Sequence, residues 1–305
     1  MNVFRIPVLL RKLGLSPGLV DNPLFAPLVK GVVMQAYKKA LLTVLKIKYR
    51  SDPVEYLNVD GAVFRFYDPG FSYLALNFTG NAHEPAVTRH LKFLISHGSH
   101  CFLDIGAYYG YFALFAAAAG DGCDVHAFEP NSEYFSIVEK NAALNGFNIR
   151  CHRLALSGSS GSIPFYDRSM KAGHGVCEYV QSISFDELSE REDIRPDIVK
   201  IDVHGSEGKV LSGMERALEK HIGHIFIELH PDDVMVDCSV KSVVDLLKQS
   251  GFRLFEMDGF RHRQRPLYRE LDAALYRSLV DMNQWSDQHV RDRRMFYAAR
   301  EPVFP

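Results

Sequence analysis

The sequence predicts a doubly wound α/β fold with a mainly parallel sheet. Three observations carry this. Strand-like and helix-like runs alternate from about residue 85 to 256, an apolar strand ending in an acid leads into a turn bracketed by Gly106 and Gly110, and two later apolar runs also end in charged groups. The 305 residues, 47% apolar and 24% charged, suffice for such a sheet with a sizeable core and exclude a disordered or collagen-like chain.

The first 50 residues hold nine Lys/Arg against the single acid Asp21, so this arm carries +8 and the remainder −10. Within it Val33, Tyr37, Ala40, Leu41, Val44 and Leu45 recur at helical spacing while Lys38, Lys39 and Lys46 fall largely on another side, an amphipathic helix of about five turns. Through residues 28–48 such a helix suits peripheral contact with an anionic membrane surface, and equally packing on the hairpin or dimerisation. Ala62–Tyr67 and Tyr73–Phe78 read as a β-hairpin joined by Asp68-Pro69-Gly70. The chain therefore divides into a helix-plus-hairpin extension over 1–82 and a main domain over 83–305.

Pro85 opens a helix to about Ser96. Strand Cys101–Ile105, helix Tyr111–Ala119, strand Asp124–Phe128, helix Ser132–Asn145 closed by Gly146 and strand Ile149–Leu156 follow. After a looser stretch come strand Asp197–Val203, helix Ser206–Leu218, strand His224–Leu229, helix Val240–Gln249 closed by Gly251 and strand Phe252–Glu256. The loop Asp167–Glu178 reads as ordinary surface or a lid, and the Arg-rich tail beyond Arg261, including Arg291, Arg293 and Arg294, as a solvated, ion-paired surface. Five cysteines without a C-x-x-C pair suggest reduced thiols in a cytoplasmic protein. The longest apolar run, Tyr111 to Ala119, is too short to span a bilayer.

Gly106 and Gly110 let backbone approach a ligand where a Cβ would obstruct it. Glu129, about 20 residues on in Ala127-Phe-Glu-Pro130, stands where doubly wound folds place a ribose-binding acid. Val199-Lys-Ile-Asp-Val-His-Gly-Ser-Glu207 and Ile225-Phe-Ile-Glu-Leu-His230 bring Asp202, His204, Glu207, Glu228 and His230 to the carboxyl ends of their strands, where open α/β sheets bind ligands. A nicotinamide-dependent oxidoreductase would also use a glycine turn and an acid, but G-x-G-x-x-G is absent.

Taken in order, Leu-Asp-Ile-Gly-Ala-x-x-Gly (103–110), Ala-Phe-Glu-Pro-Asn (127–131), Asn-Ala-Ala-Leu-Asn-Gly (141–146), Ala-Leu-Ser (155–157), Ser-Phe-Asp-Glu-Leu (184–188), Val-Lys-Ile-Asp-Val-x-Gly-x-Glu (199–207) and Ile-Glu-x-His (227–230) resemble the FkbM family of S-adenosylmethionine-dependent methyltransferases over roughly residues 84–256. The resemblance implies a seven-stranded, Rossmann-like class I methyltransferase sheet with one antiparallel strand. It also implies O-methyl transfer from S-adenosyl-L-methionine to a hydroxyl of a sugar, glycan, glycolipid or natural product. By carry-over Asp104, Gly106 and Ala107 line the methionine side of the cofactor, Glu129 holds its ribose, Ala155 and Leu156 lie near its adenine, and Tyr108, Gly110 and Pro130 complete the cofactor-binding set. Asp202 takes the reacting end. Two departures stand out: the family usually has Asn at Tyr108 and Glu at His204.

Methyl transfer from a sulfonium needs alignment more than covalent help, and a hydroxyl acceptor benefits from a base. On period-two alternation, Asp202 and His204 share a side of their strand, as do Glu228 and His230 of theirs. If these strands are neighbours, the four converge, either as a base with its orienting partner or as a divalent metal site. The sequence favours the metal-free version. The competing non-enzymatic reading is a degenerate methyltransferase fold serving as a binding or membrane-docking module. Nucleic acid is not expected as a partner, since the main domain is acidic and lacks an Asn-Pro-Pro-Tyr signature.

Overall fold

A computed structural model describes residues 43, 53–71, 73, 83–120, 122–166, 177–230, 232, 234–236, 238–258, 267–272, 275 and 294–305. The amphipathic helix expected over 28–48, apart from Thr43, and residues 167–176 of the expected lid lie outside these.

The chain's first described strands are β1 (Val54–Val59) and β2 (Ala62–Tyr67), paired antiparallel with Val54 opposite Tyr67 and Val59 opposite Ala62. This hairpin precedes the expected one. Asp60 and Gly61 both take positive φ, 49° and 88°, which a two-residue turn matched to strand twist requires, and a second turn at Asp68-Pro69-Gly70 is closed by the Phe71 N–H donating to Asp68 O at 3.0 Å. Asp68 also closes the open end: its N–H donates to Pro53 O at 2.9 Å and its carboxylate accepts the Tyr73 N–H at 2.7 Å. Of the strand expected over 73–78, only Tyr73 is among the described residues.

Among the described residues seven helices follow: α1 (Pro85–Ser96), α2 (Tyr111–Ala119), α3 (Ser132–Asn145), α4 (Phe185–Glu192), α5 (Glu207–Ser212), α6 (Glu215–Lys220) and α7 (Val240–Gln249). The helix expected over 206–218 is divided. A Cβ on Gly213 would overlap the Ser157 carbonyl oxygen, and the Asp186 carboxylate caps a fresh start by accepting the Arg216 and Ala217 N–H groups, both at 2.9 Å.

The remaining strands are β3 (Cys101–Ile105), β4 (Asp124–Phe128), β5 (Ile149–His152), β6 (Ala155–Leu156), β7 (Gly161–Tyr166), β8 (Cys177–Ile183), β9 (Ile198–Ile201), β10 (His224–Leu229), β11 (Arg253–Asp258), β12 (Leu267–Glu270) and β13 (Arg294–Ala299). The main sheet has eight strands in the order β12-β11-β13-β10-β9-β3-β4-β5. From β5 through β10 neighbours are parallel; β13 runs antiparallel between β10 and β11. Seven of these strands make the expected class I methyltransferase sheet. The eighth, β12, adds an antiparallel edge on β11, clamped by the bidentate pair of Arg253 with Glu270 at 2.8 and 2.9 Å.

Two further expectations change. The strand expected over 149–156 breaks after His152, and β6 joins β8 and β7 in a separate three-stranded sheet. Arg294, expected on a solvated surface, opens β13, whose Met295, Phe296, Tyr297, Ala298 and Ala299 are buried. Its side chains alternate between two cores, Met295, Tyr297 and Ala299 in one and Phe296 and Ala298 in the other, so the segment is apolar on both faces.

One sheet face packs Phe102, Phe226 and Tyr297 against α1, α2 and the hairpin; the other packs Leu103, Ile105, Val199, Ile201, Ile225, Ile227 and Phe296 against Leu188, Leu211, Leu218, Val243 and Leu247 from α4–α7. The hairpin adds Phe64 and Phe66, edge-on to Tyr111 at 6.0 and 6.2 Å, each burying enough apolar surface to contribute about 2–3 kcal/mol. Helix α3 also holds it by hydrogen bonds. The Asn145 amide exchanges bonds with Arg65 N and O at 2.7 and 2.8 Å, and Asn141 does the same with Tyr67 at 2.7 and 3.2 Å, while also donating to Tyr109 O at 2.9 Å. Two amides four residues apart on a helix thus substitute for a third strand. No helix among the described residues is long and apolar enough to cross a membrane.

Candidate active site

The parallel strands change winding direction between β3 and β9, and ligands of such sheets bind beyond the carboxyl ends at that point. There β3 runs into Gly106, whose φ is +82° and where a Cβ would overlap the Asp202 carbonyl oxygen. The Gly106 and Ala107 N–H groups both donate to Phe128 O at 3.0 Å, tying the turn to β4. Gly110, also at φ +82°, caps α2 against Val138.

Glu129 is buried, and both its oxygens are fixed by main chain: Oε2 accepts the Tyr108 N–H and Oε1 the Asn131 N–H, each at 2.9 Å. Carboxylate oxygens carry two lone pairs each, so acceptor capacity remains for ribose hydroxyls. Asn131 in turn caps α3, accepting the Glu133 and Tyr134 N–H groups at 3.0 Å, and neighbouring Pro130 is half-buried. Tyr108 holds φ +53°, a conformation Asn tolerates and Tyr resists. Its ring stacks on Tyr109 at 3.9 Å and meets Tyr134 edge-on at 4.6 Å, contacts that offset the strain.

Asp104 is 1% exposed; its Oδ2 accepts the Ala113 N–H of α2 at 3.1 Å, and its Oδ1 has no hydrogen-bond partner. Burial pushes its carboxyl up to about 6, against the Lys200 ammonium and the Ala113 N–H. Ala155 is half-buried and Leu156 buried on β6, a strand of the small sheet and not of the main one.

On the α1–α2 face the apolar column of the sheet turns polar at its carboxyl end. Asp104 stands opposite Lys200 in register, and the Lys200 ammonium lies 3.5 Å from Asp202 Oδ2 and 4.7 Å from the centre of the Phe112 ring. Burial alone would lower Lys200; Asp202, Glu84, Asp104 and Glu228 outweigh it and hold the lysine above its usual range. Burial would likewise raise Asp202, but Lys200 foremost and then His204 hold it below the usual carboxylate range. Buried Glu84, at φ +41° just before α1, joins Asp202 and Glu228, with one oxygen of each within 4.8 Å of the others.

Strands β9 and β10 are indeed neighbours, yet the histidines are placed differently from a simple alternation. Strand β9 ends at Ile201, and His204 lies in a turn at φ +54°, its side chain 44% exposed and its Nδ1 3.7 Å from Asp202 Oδ1. His230 lies past the end of β10. Its Nδ1–H donates to Glu207 Oε1 at 2.7 Å, so Glu207, and not Glu228, orients it. The Gly205 N–H donates to the same oxygen at 3.1 Å. His230 Nε2 is buried with no hydrogen-bond partner, and the two imidazole centres are 5.0 Å apart. Asp202, His204, His230, Glu207 and Glu228 are therefore gathered at one place. Glu84 and Lys200 complete it, and the sequence reading misses both. A lysine inside the apolar run Ile198–Ile201 was the available signal, since a buried lysine needs acidic partners; Glu84 carries no local signal.

Residues 104–254 match the family model described as the Methyltransferase FkbM domain. The chain is 33% identical over 142 residues to the hexuronic acid methyltransferase AglP of Haloferax volcanii, an alignment covering 43% of this chain and 58% of that protein. It is 28% identical over 188 residues to the 31-O-demethyl-FK506 methyltransferase FkbM of Streptomyces tacrolimicus, covering 49% and 71%. Among solved structures it resembles a methyltransferase FkbM from Methylobacillus flagellatus at a TM-score of 0.41 and 16% identity, over 66% of this chain and 43% of that one. The chain thus spans less than two thirds of AglP and of that solved structure.

Proposed function

Because residues 104–254 match the family model of the Methyltransferase FkbM domain, we propose that this chain is an S-adenosylmethionine-dependent O-methyltransferase acting on a hydroxyl of a sugar or natural-product acceptor. The observation that carries the reading is the convergence of Asp202, His204 and His230 beside a glycine turn whose backbone leaves no room for a Cβ. AglP and the Streptomyces FkbM, by their names, act on a hexuronic acid and on 31-O-demethyl-FK506, which supports an oxygen acceptor of that class.

The residues present suit the cofactor. Gly106 and Gly110 let the turn pack closely on Asp202 and Val138 at the head of the sheet, the unpartnered Oδ1 of Asp104 is a buried acceptor suited to an ammonium or N–H, and Glu129 retains lone pairs for a ribose. Bound there, S-adenosylmethionine would supply a methyl group on a cationic sulfonium, the activated carbon of the reaction. The chain's own residues do the rest. Buried carboxylates around Lys200 favour a cationic ligand, Glu207 fixes the ring and tautomer of His230, and the acceptor hydroxyl loses its proton at the Asp202, His204 and His230 cluster. On this reading residues 83–305 form the transferase domain, and 1–82 an extension whose hairpin braces α3.

The test is transfer of isotopically labelled methyl to hexuronic acids, hexuronate-containing glycans and hydroxylated natural products. The expected result is a labelled methyl ether, lost in His230→Ala while cofactor affinity is kept. Full turnover in both His204→Gly and His230→Ala would remove the histidines from the reaction.

A further inference from the structure

We propose that Asp202, His204 and His230 bind one divalent transition-metal ion that holds the acceptor hydroxyl. This rests on the methyl-transfer reading above and specifies how its oxygen is activated. Sequence alone favours a metal-free base, and the placement of three atoms reverses that order. One ligand atom from each of Asp202, His204 and His230 lies within 4.8 Å of the other two, and His230 Nε2 and Asp202 Oδ1 are buried without a hydrogen-bond partner. The His230 side chain is only 4% exposed, so its lone pair does not face solvent. A shell with bonds of about 2.1 Å spaces adjacent ligand atoms by about 3–3.5 Å. The 3.7 Å separation of His204 Nδ1 from Asp202 Oδ1 needs little adjustment, and His204 is exposed enough to make it.

The second shell is built as metal sites build it. A ligating histidine gives its other N–H to a carboxylate, which fixes the ring and raises its basicity. Glu207 does this for His230 at 2.7 Å and is itself held by the Gly205 N–H. The electrostatics agree. Glu84, Asp104, Glu207 and Glu228 are buried and Asp202 nearly so, while Lys200 is the single buried lysine among the described residues. Such an excess of negative charge attracts a cation. The neighbouring group of Glu84, Asp202 and Glu228 already faces the Lys200 ammonium, which leaves the histidine side as the place for an ion. Two imidazoles with one carboxylate suit manganese, iron, cobalt or zinc over magnesium or calcium. On this ion the acceptor's O–H becomes acidic, and its proton leaves to water on the exposed side of His204. The oxygen's electron pair then bonds to the methyl carbon, and the carbon–sulfur pair stays with sulfur.

The experiment is a titration of the full chain, stripped with EDTA and desalted, with Co²⁺, following visible absorption. A ligand-field band saturating at one equivalent, absent in His230→Ala and in His204→Gly, supports the site. Glycine suits the positive φ of residue 204, so the second variant keeps the test decisive should the first fail to fold. Glu207→Gln should bind Co²⁺ 10–100-fold more weakly. No saturable band, or one surviving in both histidine variants, overturns the proposal. So does a thiolate charge-transfer band, which would place the ion at Cys101, Asp124 and His126 on the opposite end of the sheet. Stripped chain should lose methyl transfer and regain it with one equivalent of metal; full transfer without metal overturns the role. Calorimetry with S-adenosylmethionine on the same samples separates the two readings. Cofactor binding without a cobalt band removes only the metal, whereas a cobalt band without cofactor binding removes methyl transfer.

Discussion

Asp104→Asn should make the chain more resistant to unfolding as pH rises toward neutrality, while weakening its hold on the cofactor. Burial raises this carboxyl from 3.8 to about 6. Between those values the folded chain keeps a proton that the unfolded chain has lost, so the group's contribution to stability is full below pH 3.8 and is lost as pH rises through 6. At about 1.4 kcal/mol per pH unit between the two values, the loss amounts to about 3 kcal/mol by pH 7. Asn does not titrate, and its carbonyl oxygen can still accept the Ala113 N–H. The assay is urea unfolding by circular dichroism of both proteins at pH 4 to 7.5. The stability of the variant relative to the parent should climb by about 3 kcal/mol across that range, most of it between pH 4 and 6. Calorimetry at pH 7.5 should show affinity for S-adenosylmethionine reduced about 10–150-fold, the equivalent of a charge-assisted hydrogen bond of 1.5–3 kcal/mol. A stability difference that stays flat with pH would show that Asp104 titrates as an exposed carboxylate does and would refute the argument from burial.

Gly106→Ala forces a Cβ into the Asp202 carbonyl and holds alanine at φ +82°, so cofactor binding should be abolished and the melting temperature lowered, read by calorimetry and thermal denaturation. Glu129→Gln should weaken S-adenosylmethionine about 10–100-fold; unchanged affinity would put the ribose elsewhere. Asn141→Ala leaves Tyr67 N and O and Tyr109 O without their side-chain partner, at an expected cost of about 2–4 kcal/mol in denaturant unfolding, with cofactor affinity nearly kept. Glu207→Gln should lower turnover more than cofactor affinity, since the groups it holds are His230 and the Gly205 N–H and not the cofactor turn.

Legibility varied with how local the determinant was. The glycine turn, Glu129 and the paired strands β9 and β10 show in the sequence because apolar runs ending in acids are local patterns. The β1–β2 hairpin was overlooked because Asp68-Pro69-Gly70 drew the eye from Asp60-Gly61, a pair that fits a two-residue strand reversal. Asn141 and Asn145 register in sequence only as part of a recurring motif; their role depends on a strand more than 70 residues away. Glu207 displaced Glu228 as the partner of His230 because the chain leaves the strand at both places, and side-chain alternation holds only within a strand. Strand β13 was hidden by the arginines before it, although Met-Phe-Tyr-Ala-Ala is as apolar as any strand of the sheet.

The place of β13 also governs when this sheet can be completed. It separates β10 from β11, yet it is translated after both, 65 residues beyond the end of β10. At about 5–20 residues per second, a nascent chain waits several seconds with the edge of β10, His224-Ile-Phe-Ile-Glu-Leu229, unpaired. Once β11 has been made, its docking directly on β10 in parallel would give a misregistered sheet that must reopen before β13 enters. Synthesis rate and chaperone occupancy should therefore set the yield of active protein more strongly than equilibrium stability does, and a slower-translated tract between β11 and β13 would lower it.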